Sequence, residues 1–388
     1  MPNLRIKSVS TKADLQTFVT LPWQVYRQDP YWVPPLVSER RDFYNRQKNP
    51  FFEHSRAEYF LARREDQVVG RIAAIINTRH NDFHNEQVGF FGAFEVAEDP
   101  EAAQALLQRA CDWVRAQGMA AIRGPATFSI NDECGLLVDG FNTPPTLLTT
   151  YNPPRYVEYV EQAGFKKTMD LYAYRMSQEK AQPQVLSSKL VRVVEHLKQR
   201  SGIKLRRASM RNYWQEAEYI KAIYNAAWTR NWGFVPVTDA EFKQMAGVMK
   251  QIIDPDLVFF VEIDGETVGF SLTLPDLNQA LRLAYPNPRT PEWITLAKLL
   301  WHWKLRSKVK AVRLFALGLR EDARLTGIDA LLYYETARVA LAKGYQWGEI
   351  SWLLETNTMV NRSAKMMGAE IYKTWRMYEC DLAGQEKP

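Results

Sequence analysis

The residues able to do chemistry fall into three groups. Near the C-terminus, the run GEISWLLETN carries Glu349, Glu355 and Asn357, with Tyr372 and Tyr378 a short way beyond. A carboxylate can take a proton from an ammonium group and free an amine to attack a carbonyl, and a phenol can protonate a leaving group. The plainer reading of Glu349 and Glu355 is a strand-edge charge. Upstream, Arg320, Arg324 and Gly327 lead into an apolar stretch that begins at Ile328. A helix that starts there offers unpaired N–H groups and a positive dipole end to an anion. Gly327 lets the backbone approach closely, whereas Asp329 has the wrong sign for a phosphate and reads as a helix cap.

The third group lies in the first half, where polar residues stand among aromatics. His54, His80, Asn131, Glu133, Tyr151 and Asn152 suit a substrate site in a cleft between the halves, with buried structural hydrogen bonding as the alternative. His80 and His84 would share a face if helical, but their flanks read as loop, and a metal would need a further carboxylate or Cys. Cys134 has no local group that would activate a thiol. No metal is expected.

The elements that must position these groups occur twice in the same order. EYFLAR and VVGRIAAII form a hairpin in the first half, and the strands either side of Asp264-Gly265 form one in the second. GFFGAFEV leads into a helix opened by Asp99-Pro100, and VRLFALGL leads into the helix from Ile328. Each half then adds a strand, a short helix and a final strand. Gly70 matches Gly269, Gly118 matches Gly344 and Gly164 matches Gly368. The first half carries an insert, GPATFSINDECGLLVDGFNTPP, after its central helix. The second carries PEWITLAKLLWHWKLRSKVK before its own. Trp293, Leu296, Leu300 and Trp303 in that second insert predict an amphipathic helix packed on the core, with a membrane-surface helix or acyl-chain wall as alternatives. Ser177 to Gln184 is the expected linker, so the expected domains are 1–180 and 190–388.

Composition narrows the function classes. The 388 residues suit two domains, and a net charge of +6 suits an anionic ligand better than nucleic acid, because the cations are dispersed and no nucleic-acid-binding motif is present. Only three cysteines occur, none at metal-ligand or redox spacing, which implies a reducing compartment. No apolar signal core or membrane-spanning run is visible. The expected location is the cytoplasm, with peripheral contact at the inner face of the membrane as the alternative. Nothing in the sequence sets an oligomeric state.

The element order resembles that of Gcn5-related N-acetyltransferase (GNAT) domains. The implied fold is α/β of the α+β kind, two tandem GNAT-like domains, each a mixed, mostly antiparallel sheet flanked by helices. Arg324-Leu-Thr-Gly327 resembles the pyrophosphate loop of GNAT enzymes, which implies an acyl-CoA co-substrate in the second half. Leu317 and Leu319 would line the pantetheine arm with their backbone, and Arg320 and Arg324 would face the phosphates. The corresponding helix start of the first half, with Glu95, Glu98, Asp99, Pro100 and Glu101, would repel them. The Tyr that usually serves as the GNAT acid is replaced by Ala364 or Lys365, so the acid and base are sought among Glu349, Glu355, Asn357 and Tyr372.

Long aromatic-rich stretches, among them NPFFEH, VGRIAAIIN, NDECGLLVDGF, NWGFVP and LPDLN, resemble a bacterial family of GNAT-like proteins over nearly the whole chain. Some of its relatives are implicated as bacterial ceramide synthases. The resemblance implies transfer of an acyl group from acyl-CoA, acetyl or long-chain, to a small-molecule or lipid amine. An aminoacyl-tRNA-dependent transferase and a non-catalytic acyl-CoA or lipid-binding protein are the alternatives.

Overall fold

The computed structural model describes residues 3–182, 188–324 and 326–383, so the expected linker lies partly outside the described residues. Both series of elements are present. In the first half, Arg56–Arg64 and Gln67–Ile76 form the hairpin, Val88–Val96 follows, and Pro100–Ala116 is the central helix. In the second half, Val258–Ile263 and Glu266–Pro275 form the hairpin, Ala311–Leu319 follows, and Ile328–Ala342 is the helix. The matched glycines have matched conformations. Gly118 and Gly344 (φ +83° and +81°) reverse the chain after the central helices, and Gly164 and Gly368 (φ +86° and +82°) do so after the short ones. Helices Tyr213–Ala227 and Asp239–Ile252, which precede the hairpin of the second half, lay outside the repeat read from the sequence.

The two halves share one sheet of 13 strands among the described residues. The order across it is Leu4–Ser8, Arg56–Arg64, Gln67–Ile76, Val88–Val96, Ala121–Gly124, Glu370–Asp381, Lys166–Ser177, Trp347–Leu354, Ala311–Leu319, Glu266–Pro275, Val258–Ile263 and Ile203–Arg207. A short strand, Leu136–Asp139, also pairs with Glu370–Asp381. Pairing is parallel between Val88–Val96 and Ala121–Gly124 and between Ala311–Leu319 and Trp347–Leu354; every other pair is antiparallel.

The final strands are exchanged. Lys166–Ser177 ends the first half but pairs with Trp347–Leu354 of the second. Glu370–Asp381 ends the second half but pairs with Ala121–Gly124 of the first, and the two exchanged strands lie side by side. Apolar alternation on Glu370–Asp381 fixes this register, because Trp375 and Met377 enter the core cluster that holds Phe18, Phe51 and Tyr59. Trp375 is fully buried, and its indole N–H donates to Thr150 O at 3.0 Å.

Because this strand joins both halves, Trp375→Ala is expected to lower stability by about 3–5 kcal/mol in a single urea transition. Circular dichroism followed through the denaturation checks this; two separate transitions would mean that the exchanged strand does not couple the halves.

Candidate active site

The two parallel pairs open differently beyond their last rung. In the first half the ladder ends at Phe90–Arg123. Past that point the chain fills its own gap: Ala93 N–H donates to Thr127 Oγ1 at 3.1 Å, and Val96 N–H donates to Tyr156 Oη at 2.6 Å. A Cβ on Gly92 would come within 2.6 Å of Ala126 O. The helix start is taken as well, since the Asp99 carboxylate accepts from Ala102 N (2.9 Å) and Arg64 bridges Asp99 and Glu101.

In the second half the ladder ends at Leu314–Ile350, and among the described residues no hydrogen bond like those of Thr127 and Tyr156 crosses the gap. A β-bulge at the Leu272/Thr273 step places Phe315 outside the regular pairing, where a strand can re-aim its backbone groups. The indole N–H of Trp352 and the hydroxyl of Thr273 are buried there without a hydrogen-bond partner among the described residues. Helix Ile328–Ala342 starts at Gly327 (φ +87°) with no side-chain cap. Orphaned donors beside the gap and an uncapped helix start fit an elongated polar arm that ends in an anion.

A buried polar cluster sits at the last rung. The Glu349 side chain is fully buried. Its Oε1 accepts from Thr146 Oγ1 at 2.6 Å and from Ser351 Oγ, and its Oε2 accepts from the Tyr372 hydroxyl. Arg313 lies 3.7 Å from Glu349 Oε1, donates through Nε to Ser351 Oγ (2.9 Å) and through Nη1 to Leu147 O (2.6 Å). Burial, with the Glu349 carboxylate adding to it, pushes the Tyr372 hydroxyl far above its ordinary value, so it remains a phenol at neutral pH. Lys373, whose pKa burial pulls down to about 8, ties down the preceding loop by donating to Gly140 O (2.6 Å) and Thr143 O (2.8 Å). Asp276 accepts from Leu147 N at 2.9 Å, and burial pushes its carboxyl up to about 7.

Cavities flank this point on both faces of the sheet. One of about 50 Å³, under helix Ile328–Ala342, is lined by Thr273, Leu314, Tyr333, Thr336, Glu349 and Ile350 among others. The other, about 70 Å³, lies between the sheet and helices Tyr213–Ala227 and Asp239–Ile252. Its wall is almost wholly apolar, with Ala217, Ala246, Met249, Phe260, Phe315 and Ala316 prominent in it.

Of the residues singled out from the sequence, Glu349 and Tyr372 meet at the cluster. Glu355 instead pairs with Lys167 (2.8 Å) and accepts from Asp170 N (2.9 Å), and Asn357 caps helix Thr358–Met366. Leu317 and Leu319 stand on strand Ala311–Leu319 beyond the last rung. Arg320 is held by Glu266 and Asp322, and Arg324 donates to Ala227 O at 3.1 Å. Asn131 reaches the apolar cavity, where it accepts from Tyr224 Oη (3.0 Å) and donates to Val235 O (2.8 Å).

The other first-half candidates contact groups of the chain itself. His54 meets Glu241 at 3.0 Å, Glu133 pairs with Arg40, and Tyr151 donates to Asp29 at 2.9 Å. Asn152 is buried and bonds to Leu137 through both its side-chain atoms. His80 and His84 lie on a helix, Thr78–His84, rather than the loop read from their flanks, because Asn77 caps it by accepting from His80 N. Arg313, Thr146, Ser351, Lys373 and Asp276 were not singled out. The signal was there for Arg313, a cation within the apolar run AVRLFALGL. Among the described residues no group of three or more His, Cys, Asp or Glu is placed to hold a metal ion.

No family model matches the chain. A bacterial ceramide synthase of Caulobacter vibrioides is 36% identical over 382 residues, which are 97% of each chain. Protein YghO of Escherichia coli K12 is 34% identical over 378 residues, 96% of this chain and 94% of the other. This chain belongs to their family. Among solved structures, a tandem GNAT protein from the clavulanic acid biosynthesis pathway superposes with a TM-score of 0.59 at 10% identity, covering 99% of this chain and all 100% of that one. A GCN5-related N-acetyltransferase from Sphaerobacter thermophilus gives 0.51 at 12% identity over 98% and 96% of the two chains. The fold of this family member is that of tandem GNAT proteins.

The structural role of His80 has a pH signature. Burial, opposed by its hydrogen bond to Glu86, holds the ring at about 4 instead of 6.5, so the neutral imidazole is the donor to Glu86 at 3.0 Å. Between these values the unfolded chain binds a proton that the folded chain does not, so stability falls as pH falls, by about 3 kcal/mol by pH 4. His80→Gln is expected to flatten this acid limb in melting curves recorded from pH 7 to pH 4.

Proposed function

We propose that this chain transfers an acyl group from an acyl-CoA thioester to an amine at the last rung of the second half's parallel pair. In the sharper form of the proposal the acyl chain is long and the acceptor is a lipid amine. One observation carries it: the apolar cavity reaches Phe315 and Ala316, next to the Glu349–Tyr372 cluster, so a hydrocarbon tail and a proton-handling pair adjoin the same gap. The Caulobacter relative named as a bacterial ceramide synthase supports the sharper form, since a ceramide is an N-acylated long-chain amine.

In this reaction the ammonium first gives one proton to solvent; a C–N bond then forms, the C–S bond breaks, and the second proton lost by the nitrogen ends on the thiolate. Tyr372 is partly exposed whereas Glu349 is enclosed. Tyr372 is therefore the group that meets substrate; it gives a proton to the leaving sulfur and regains one from the nitrogen. Glu349 acts through it, by accepting its hydroxyl and fixing its direction. The gap-facing backbone at Leu317 and Leu319 would hold the pantetheine arm, and the N–H groups after Gly327 would receive the pyrophosphate. Arg324 is better placed to assist than Arg320, which two carboxylates already engage.

The test is mass spectrometry of the purified protein with palmitoyl-CoA or acetyl-CoA and a long-chain amine. The N-acylated product and free CoA are expected, faster with palmitoyl-CoA. Tyr372→Phe should lower kcat by about 10²–10⁴-fold with little change in KM, the range for loss of a general acid. Binding of either thioester without turnover on any amine would sink the catalytic reading and favour a carrier.

The cavity makes a separate demand. Ala246 lines it, so Ala246→Leu should shift the preferred donor toward shorter chains when a series of acyl-CoA lengths is compared. An unchanged length profile would place the acyl tail elsewhere.

A further inference from the structure

The insert between strands Glu266–Pro275 and Ala311–Leu319 contains helices Asn278–Ala284 and Glu292–Leu300, the latter continued by a wider turn over Trp301–Leu305. The sequence predicted that Trp293, Leu296, Leu300 and Trp303 would face inward. The structure divides them differently. Thr295 is buried, and Leu299 and Trp303 pack onto Leu277, Ala280 and Val309. Trp293 is 71% exposed, Leu300 53%, Trp301 51% and Leu305 71%, and Leu296 stands out beside them. The helix is therefore apolar on its outer face as well as its inner one, a pattern that calls for a second apolar partner.

The cations beside it indicate what that partner is. Lys298, Lys304, Arg306, Lys308 and Lys310 are all exposed. None of them forms an ion pair with a side chain among the described residues. Lys304 lies 3.7 Å over the ring of Trp303, so charge and indole occupy one level. Exposed Trp and Leu flanked by unpaired Lys and Arg match the border of an anionic bilayer. There the apolar side chains enter the acyl boundary and the cations meet phosphate. A second copy of this chain would bring like charges face to face. Among the described residues no helix is long and apolar enough to cross a membrane, so the contact is with the surface.

We propose that the segment Glu292–Lys310 docks this protein on an anionic phospholipid surface. The insert is rigidly set for this: Trp23 Nε1 donates to Pro286 O at 2.7 Å, and Ser38 N donates to Glu292 at 3.0 Å. It also adjoins the polar cluster. Leu147, whose carbonyl accepts from Arg313, packs against the same Leu277–Ala280–Val309 group that seats the helix. The docking stands without the acyl-transfer reading, because vesicle binding is measured without substrate.

The experiment is flotation of the full chain with phosphatidylcholine vesicles, with and without phosphatidylglycerol. Binding to the anionic vesicles alone, released at about 1 M salt, is expected. Lys304→Glu/Lys308→Glu should weaken it roughly thirtyfold or more. A Trp293→Ser/Leu300→Ser/Trp301→Ser variant, whose positions are exposed, should keep its melting temperature and lose flotation. Flotation of that variant equal to the parent, or absence of binding to either vesicle, overturns the proposal. A parent that is dimeric by light scattering, ignores vesicles and becomes monomeric in the same variant would assign the face to a second copy.

Discussion

The structure is organised around one enclosed carboxylate. Glu349 lies at the last rung of a parallel pair with its side chain shut off from water, and a lone charge there would be prohibitive. Its partners come from distant parts of the chain: Thr146 from the first half, Ser351 from its own strand, Arg313 from the neighbouring strand and Tyr372 from the last strand. Breaking a buried charge pair by deleting one partner costs about 3–5 kcal/mol, more than rearranging most surface contacts could offset. The strand exchange is what makes the set possible. Were Glu370–Asp381 paired within its own half in the order of the first copy's elements, Tyr372 and Lys373 would not lie between the first-half loop and Glu349.

A single repeated frame yields two different outcomes, and the difference is local. Matched glycines keep matched conformations in both halves, so the backbone plan is conserved between copies. In the first copy Thr127, Tyr156 and Asp99 occupy the gap and the helix start with groups of the chain itself. Its own buried carboxylate, Glu95, is pushed up to about 7 by burial and is enclosed by Tyr26 and Tyr156. In the second copy no such plugs are found among the described residues, and the hydrogen-bonding groups of Trp352 and Thr273 are buried without partners. One half closes its gap with groups of its own, and the other leaves its gap open among the described residues.

Local signals carried most of the fold. Period-two strands, the Asp264-Gly265 turn, the Asp99-Pro100 cap and the three glycine pairs all act within a few residues, and each lies where the sequence placed it. The exchange of final strands was not legible, because both strands alternate alike and register against a distant partner leaves no local mark. The site divides the same way. Glu349 and Tyr372 stood out by type, but Glu355 is the same type as Glu349 in the same motif, and only the third dimension separates the two. Arg313 and Lys373 resembled interruptions of apolar strands; their meaning depends on the loop at 140–147 that accepts their hydrogen bonds.

That loop also explains why the two halves carry inserts at different places. Thr146 and Leu147 directly follow the first-half insert; the connection that holds the second-half insert leaves the sheet at Asp276 and returns at Ala311. Leu147 joins them. Its N–H donates to Asp276, its carbonyl accepts from Arg313, and its side chain packs on the helices of the second insert. Each insert alone would leave this junction incomplete: without the first, Arg313 and Asp276 lose their backbone partners, and without the second, Leu147 loses part of its packing surface. Additions to separate copies of a frame therefore depend on one another. Their meeting point is the polar cluster at the gap, which neither half builds alone.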